Sequence, residues 1–313
     1  MRCFLLSLVL AVVASAQSPA QNSSDNAASG TSSSDSIKVD VKLVNLFVTV
    51  TDNRGAPVGS LSKEDFSLAE DGKEQKIAVF DRQSELPLSI ITAVDTSGST
   101  KKDLKLELES ARRFAHAILR PVDAMALYQF SEVVKETVPF TANVNRIDEG
   151  IARIHGGGAT ALYDAICLGS EAMEGRHGRK VMVIITDGGD TASQNKYGDA
   201  LRAAQQAEAI VYSIIVVPIE ASAGRDTGGE HALIQISNDT GGKYFYATSL
   251  PQLDEAFRKI SEELRTQYLL AYYPSKRFSD SDFRRIDIKL SATASSTFRA
   301  SYRTGYYTSQ GHF

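Results

Sequence analysis

The chain has 313 residues, of which 42% are apolar, with a formal net charge of -4 and a pI near 5.8. That apolar share is enough for a packed core, which excludes a disordered tail or a mini-protein. With near-balanced charge, no Trp and no dense Lys/Arg stripe, nucleic-acid binding has no support.

Met1 and Arg2, an apolar stretch from Cys3 to Val13, and then Ala14-Ser15-Ala16 read as a secretory signal over 1–16, with the mature chain starting at Gln17. The apolar stretch is shorter than the roughly 20 residues a spanning helix needs, and every later apolar run is strand-sized. The mature chain is therefore expected to be exported, to the periplasm, the medium or the cell surface, without a transmembrane segment. Cys3 lies before the apolar core, where a lipid-modified cysteine would follow it, so Cys167 is the one cysteine left after cleavage. It forms no internal disulfide, and its apolar helical setting reads as a buried, inert thiol. Residues 17–36 are mostly Ser, Asn, Ala and Gly and read as a flexible linker.

Alternation then begins with Ile37, Val39, Val41 and Leu43 and slips in phase to Val44, Leu46, Val48 and Val50, the pattern of a strand with a bulge or change of face. Thr51-Asp52-Asn53-Arg54-Gly55 reads as a turn. Phe66 to Lys73 followed by Ile77-Ala78-Val79-Phe80 reads as a hairpin. After Pro87, strands and helices alternate. A strand over 88–95 precedes a helix carried by Leu104, Leu108, Ala111, Ala115 and Ile118, and a strand over 123–130 follows. Helices over 145–154 and 161–173 come next, then a strand over 181–185, a helix over 197–207 and a strand over 210–216. A helix over 230–238, a short strand over 244–246 and a helix over 250–264 complete the series. This rhythm implies a mostly parallel sheet covered on both faces. From Gln267 strands return at 268–273, at Ile286, Ile288 and Leu290, and at Phe298, Ala300 and Tyr302. Neither β-rich flank buries a core alone, so 37–86 and 266–309 are expected to pair into one β-sandwich with an α/β domain, 87–265, inserted between them.

In an open α/β sheet, ligands bind at the carboxyl ends of the strands. Asp95-Thr96-Ser97-Gly98-Ser99 stands at such an end after an apolar run, and Asp187-Gly188-Gly189 stands at another. Between them Gly156-Gly157-Gly158-Ala159-Thr160 is a glycine-rich loop running into a helix. Alone, a D-x-S-x-S match also fits an ordinary helix cap. Three such pieces in order, each at a strand end or in a glycine loop, direct carboxylate and hydroxyl oxygens at one small hard cation.

The set closely resembles the metal-ion-dependent adhesion site of von Willebrand factor type A domains, over roughly 88–264. The resemblance implies a doubly wound sheet in the order 3-2-1-4-5-6 with one antiparallel edge strand. It implies a magnesium ion, or manganese or calcium, held by Asp95, Ser97, Ser99, Thr160 and Asp187, and a protein partner whose Asp or Glu completes the ion's shell. Coupling of the ion to movement of the last helix is implied by the same analogy. Outside the α/β stretch, Gly55-Ala56-Pro57-Val58, Asp65-Phe66, Glu70-Asp71-Gly72 and Gln267 to Pro274 look like exported bacterial proteins of this class.

A hydrolase is the rival class, since a bound cation activates water. No H-E-x-x-H or G-x-S-x-G is present, and His116, His155, His177, His231 and His312 lack ligand spacing. Asp95-Thr96-Ser97 matches neither an aspartic protease nor a pair of phosphoryl-transfer aspartates. Asp164 is expected to cap or face solvent, and Asp190 to support its loop. A third class is a structural surface protein whose metal only staples loops. The sequence favours a non-enzymatic, metal-dependent binding protein.

Overall fold

The computed structural model describes residues 43–82, 85–98, 100, 104–217, 227–276 and 283–308. The expected signal, the linker and the alternating residues Ile37, Val39 and Val41 lie outside them. In chain order come β1 (Val44–Asp52), a single 3-10 turn (Lys63–Asp65), β2 (Phe66–Glu70), β3 (Lys73–Gln75) and β4 (Ile77–Arg82). The α/β part holds β5 (Leu88–Asp95), α1 (Leu104–Ile118), β6 (Ala124–Phe130), β7 (Val134–Thr141), α2 (Val144–Ile151), α3 (Leu162–Met173) and β8 (Arg179–Thr186). It continues with α4 (Tyr197–Gln206), β9 (Ala209–Val216), α5 (Thr227–Asp239), β10 (Tyr244–Ala247) and α6 (Leu250–Thr266). The chain closes with β11 (Tyr268–Tyr272), β12 (Phe283–Leu290), α7 (Ala292–Ser295), β13 (Phe298–Ser301) and β14 (Gly305–Tyr307).

The central sheet runs β10-β9-β8-β5-β6-β7, which is the expected 3-2-1-4-5-6 order. Its strands pair in parallel except β7, which lies antiparallel to β6 at the edge. All eight residues of β5 are buried, because helices cover both faces and no position needs to be polar for solvent. On one face Phe114 and Ile118 of α1, Ile147 and Ile151 of α2, and Phe257 and Ile260 of α6 form a single core with Ile90, Val94 and Val183. On the other, α3, α4 and α5 bring Ile166, Ala204 and Ile236 against Ile91, Met182 and Val211. Each such large side chain contributes about 1.5–3 kcal/mol by leaving water. Edge strand β7 is the one antiparallel strand that the resemblance implies, but no apolar pattern in the sequence marks its residues. Its Lys135, Glu136 and Pro139 are exposed, so it carries no clean alternation, and the charges and proline keep it from pairing with another chain.

The flanking strands form two four-stranded sheets, β13-β1-β11-β4 and β14-β12-β2-β3. Leu46, Val48, Leu270 and Tyr268 from the first meet Phe66, Leu68, Ile286 and Ile288 from the second in one core. Strand β11, which follows the inserted domain, lies between β1 and β4, so chain from both sides of the insert builds the same sheet. The expected hairpin differs. Asp71 (φ 49°) and Gly72 (φ 78°) make the left-handed turn of a two-residue hairpin, but β2 pairs there with the short β3. Ile77 to Phe80 crosses into the other sheet and pairs with β11. A polar centre lies inside this sandwich. The Glu70 carboxylate accepts from Tyr272 at 2.5 Å, Tyr306 at 2.8 Å and Arg284 at 2.9 Å, and all four residues are buried.

Candidate metal centre

Strands β5 and β8 are neighbours whose connections leave to opposite sides of the sheet, so a crevice opens beyond their carboxyl ends. Asp95 is the last residue of β5, and Asp187 follows β8. Asp95 is 0% exposed. Its Oδ1 accepts the Ser97 N–H at 2.8 Å and its Oδ2 accepts the Thr186 hydroxyl at 2.6 Å. Burial pushes its carboxyl up to about 6, against the pull of those hydrogen bonds, and the nearby charge of Asp187 adds to the rise. Among the described residues, no lysine or arginine is one of the groups that act most on it.

The turn after Asp95 is closed by Thr100, whose hydroxyl donates to the carbonyls of Asp95 at 3.2 Å and Ser97 at 3.1 Å. The glycine loop is laced to this turn by backbone hydrogen bonds in both directions. Gly157 N–H donates to the Thr96 carbonyl at 2.6 Å, and Gly98 N–H donates to the Gly158 carbonyl at 2.8 Å. Thr160 is fixed from a third loop, its N–H donating to the Thr191 hydroxyl at 2.9 Å while its carbonyl accepts from Thr191 N–H at 2.8 Å. On the Asp187 side, Gly188 has φ 116° and a Cβ on Gly229 would stand 1.7 Å from the Gly188 carbonyl oxygen. Only glycines allow α5 to start that close to the loop.

The structure thus gathers Asp95, Ser97, Thr160 and Asp187 around one end of the sheet, while Ser99 lies outside the described residues. Asp190 supports its loop as expected. Its Oδ1 accepts the N–H groups of Leu162 at 2.8 Å and Tyr163 at 3.2 Å, capping α3. Asp164 holds the 194–195 segment by accepting the N–H groups of Gln194 and Asn195. His155 is exposed, and its Nδ1 is engaged by the Arg153 carbonyl. Cys167 is half-buried, its thiol pushed up to about 11 by burial. Sequence reasoning passed over Thr186, Thr191 and Glu132. Thr186 had a signal, being the one polar residue at the end of an apolar strand. The other two act through contacts made across the fold.

Among the described residues no three His, Cys, Asp or Glu side chains gather around a point. The donors here are two carboxylates and hydroxyls, a hard-oxygen set that suits magnesium better than zinc or copper. The buried Asp95 carboxylate, without a cation of the described residues among the groups that act most on it, fits a cation at this place.

The von Willebrand factor type A domain family matches residues 89–259, more than half of the chain, and the chain belongs to it. Among solved structures the fold is similar to the conserved hypothetical protein BatB from Bacteroides thetaiotaomicron, with 20% identity over 57% of this chain and 100% of that one and a TM-score of 0.46. It is similar also to the PilB minor pilin from Streptococcus sanguinis, 14% identical over 58% of this chain and 62% of that one, TM-score 0.46. A von Willebrand factor type A protein from Catenulispora acidiphila is 12% identical over 86% of this chain and 74% of its own, TM-score 0.49. No match was found among curated protein sequences.

Proposed function

We propose that this chain is a non-enzymatic, exported binding protein whose α/β domain holds a divalent cation, magnesium first, at a metal-ion-dependent adhesion site. The observation that carries this reading is the fully buried Asp95 carboxylate at the crevice, raised by burial and by Asp187, with no cation of the described residues among its main influences. Asp95, Ser97, Ser99, Thr160 and Asp187 would hold the ion. When bound, the ion supplies an electrophilic centre whose shell a carboxylate of a protein partner completes. Thr186 and the Ser97 N–H orient the Asp95 oxygens, and backbone bonds lace the glycine loop to the turn after Asp95. Among the described residues no helix is long and apolar enough to cross a membrane.

The test is calorimetric titration of the chain from Gln17 onward with Mg2+, Mn2+ and Ca2+, joined to affinity capture of partners with and without chelator. Saturable binding of one ion and loss of captured partner on chelation are expected, and at 100 times Kd the ion stabilises the fold by about 2.7 kcal/mol. Ion-independent capture, or a chain that takes up none of the three ions, overturns the reading. Asp95→Ala separates adhesion from a staple: a folded variant that loses its partner supports adhesion, whereas unfolding supports a structural metal.

A further inference from the structure

A fourth loop touches the proposed centre. The turn between β6 and β7, Ser131-Glu132, lies against the glycine loop. The Ser131 carbonyl accepts the Ala161 N–H at 2.6 Å. A Cβ on Gly157 would stand 2.3 Å from Ser131 Oγ and 3.0 Å from Glu132 Oε2, so this contact requires glycine. Glu132 Oε2 accepts the Gly158 N–H at 2.8 Å. That bond, aided by the Ser131 hydroxyl and the Ala159 N–H, holds the exposed carboxyl below the usual carboxylate range.

Gly156-Gly157-Gly158 is a run with unusually many backbone conformations to lose, and Thr160 is two residues beyond it. On one side the run is tied to Thr96 and Gly98. On the other, the Glu132 carboxylate makes a charge-assisted bond to its last glycine. We infer that Glu132 is a positioning residue of the metal centre, pinning Gly158 and Ala159 so that the Thr160 hydroxyl is presented to the ion. This rests on the metal reading above. Glu132 itself is not among the ligands, and its exposure means that the core does not depend on it.

The test compares Glu132→Ala, Glu132→Gln and Glu136→Ala with the wild-type chain from Gln17 onward. Mg2+ affinity is measured by calorimetry, and hydrogen exchange of the 155–161 segment is followed without added metal. Glu136 is an exposed acid on β7, so its loss removes the same charge without touching the loop. Glu132→Ala is expected to weaken Mg2+ binding about tenfold and to speed exchange at Gly158, with an unchanged melting temperature. Glu132→Gln, which still offers an acceptor oxygen, recovers most of the affinity, and Glu136→Ala binds as wild type. Wild-type affinity in Glu132→Ala overturns the inference. So does a Glu132→Gln variant as weak as Glu132→Ala, or a Glu136→Ala variant equally weakened, since either makes the effect one of charge. A wild-type chain that takes up no Mg2+ removes the metal reading and this inference with it, an outcome distinct from a metal-binding wild type with an unaffected variant.

Discussion

Two buried carboxylates, Glu70 in the sandwich and Asp95 in the α/β domain, are handled in opposite ways. Glu70 is met by a guanidinium and two phenols, so its charge is neutralised and its oxygens are filled from within the chain. Asp95 receives one hydroxyl and backbone and side-chain bonds from its own turn, and a second carboxylate stands nearby. A closed network stabilises one fold, whereas an incomplete one leaves a demand for positive charge. The first is a structural use of a buried acid, and the second is the one on which the proposed binding function rests.

The largest way to break the contrast is Glu70→Ala, which strands the buried Arg284 guanidinium and should cost about 3–5 kcal/mol in urea or thermal unfolding. A Glu70→Ala variant as stable as wild type would show that the network contributes nothing. Asp95→Asn should behave in the reverse manner. The Asp95 carboxyl moves from 3.8 to about 6 on folding, so the folded chain binds this proton more tightly than the unfolded one. Its stabilising contribution is full below the unfolded value and is lost as pH rises through about 6, worth about 3 kcal/mol at neutral pH. In chelator, therefore, Asp95→Asn is expected to be more stable than wild type at pH 7.5, with the gap closing toward pH 4.5. Excess Mg2+ should reverse the order. A pH-independent gap in denaturant titrations would remove the burial argument. Smallest, Tyr306→Phe takes one donor from Glu70 and should lower stability by about 1 kcal/mol while leaving Mg2+ affinity unchanged.

The sheet order came with the resemblance, but the strand–helix rhythm of the α/β part and the motif residues from which all five ligands are proposed were legible because they are written locally, as apolar runs ending in Asp and a glycine loop ending in Thr. Strand β7 was not, since an edge strand with Lys135, Glu136 and Pro139 is defined by the β6 backbone it borders. The partner of β2 was missed for a similar reason. Asp71-Gly72 announces a tight turn, but three residues of β3 carry too little pattern to outrank Ile77 to Phe80. Thr191 and Glu132 hold Thr160 and Gly158 from elsewhere in the chain, by bonds spanning 31 and 26 residues, and no spacing rule links them.

The insertion of the α/β domain also bears on how the sandwich closes. Tyr268, just after it, pairs with Arg82, just before it, and the nearby bond from Gln267 to Thr49 joins residues 218 positions apart. An unfolded insert would impose on the sandwich the slow search of a very long loop. A folded one delivers its two ends side by side. The α/β domain is therefore the clasp of the sandwich: by holding its own two ends together, it spares the outer sheets the closure of a loop of that length.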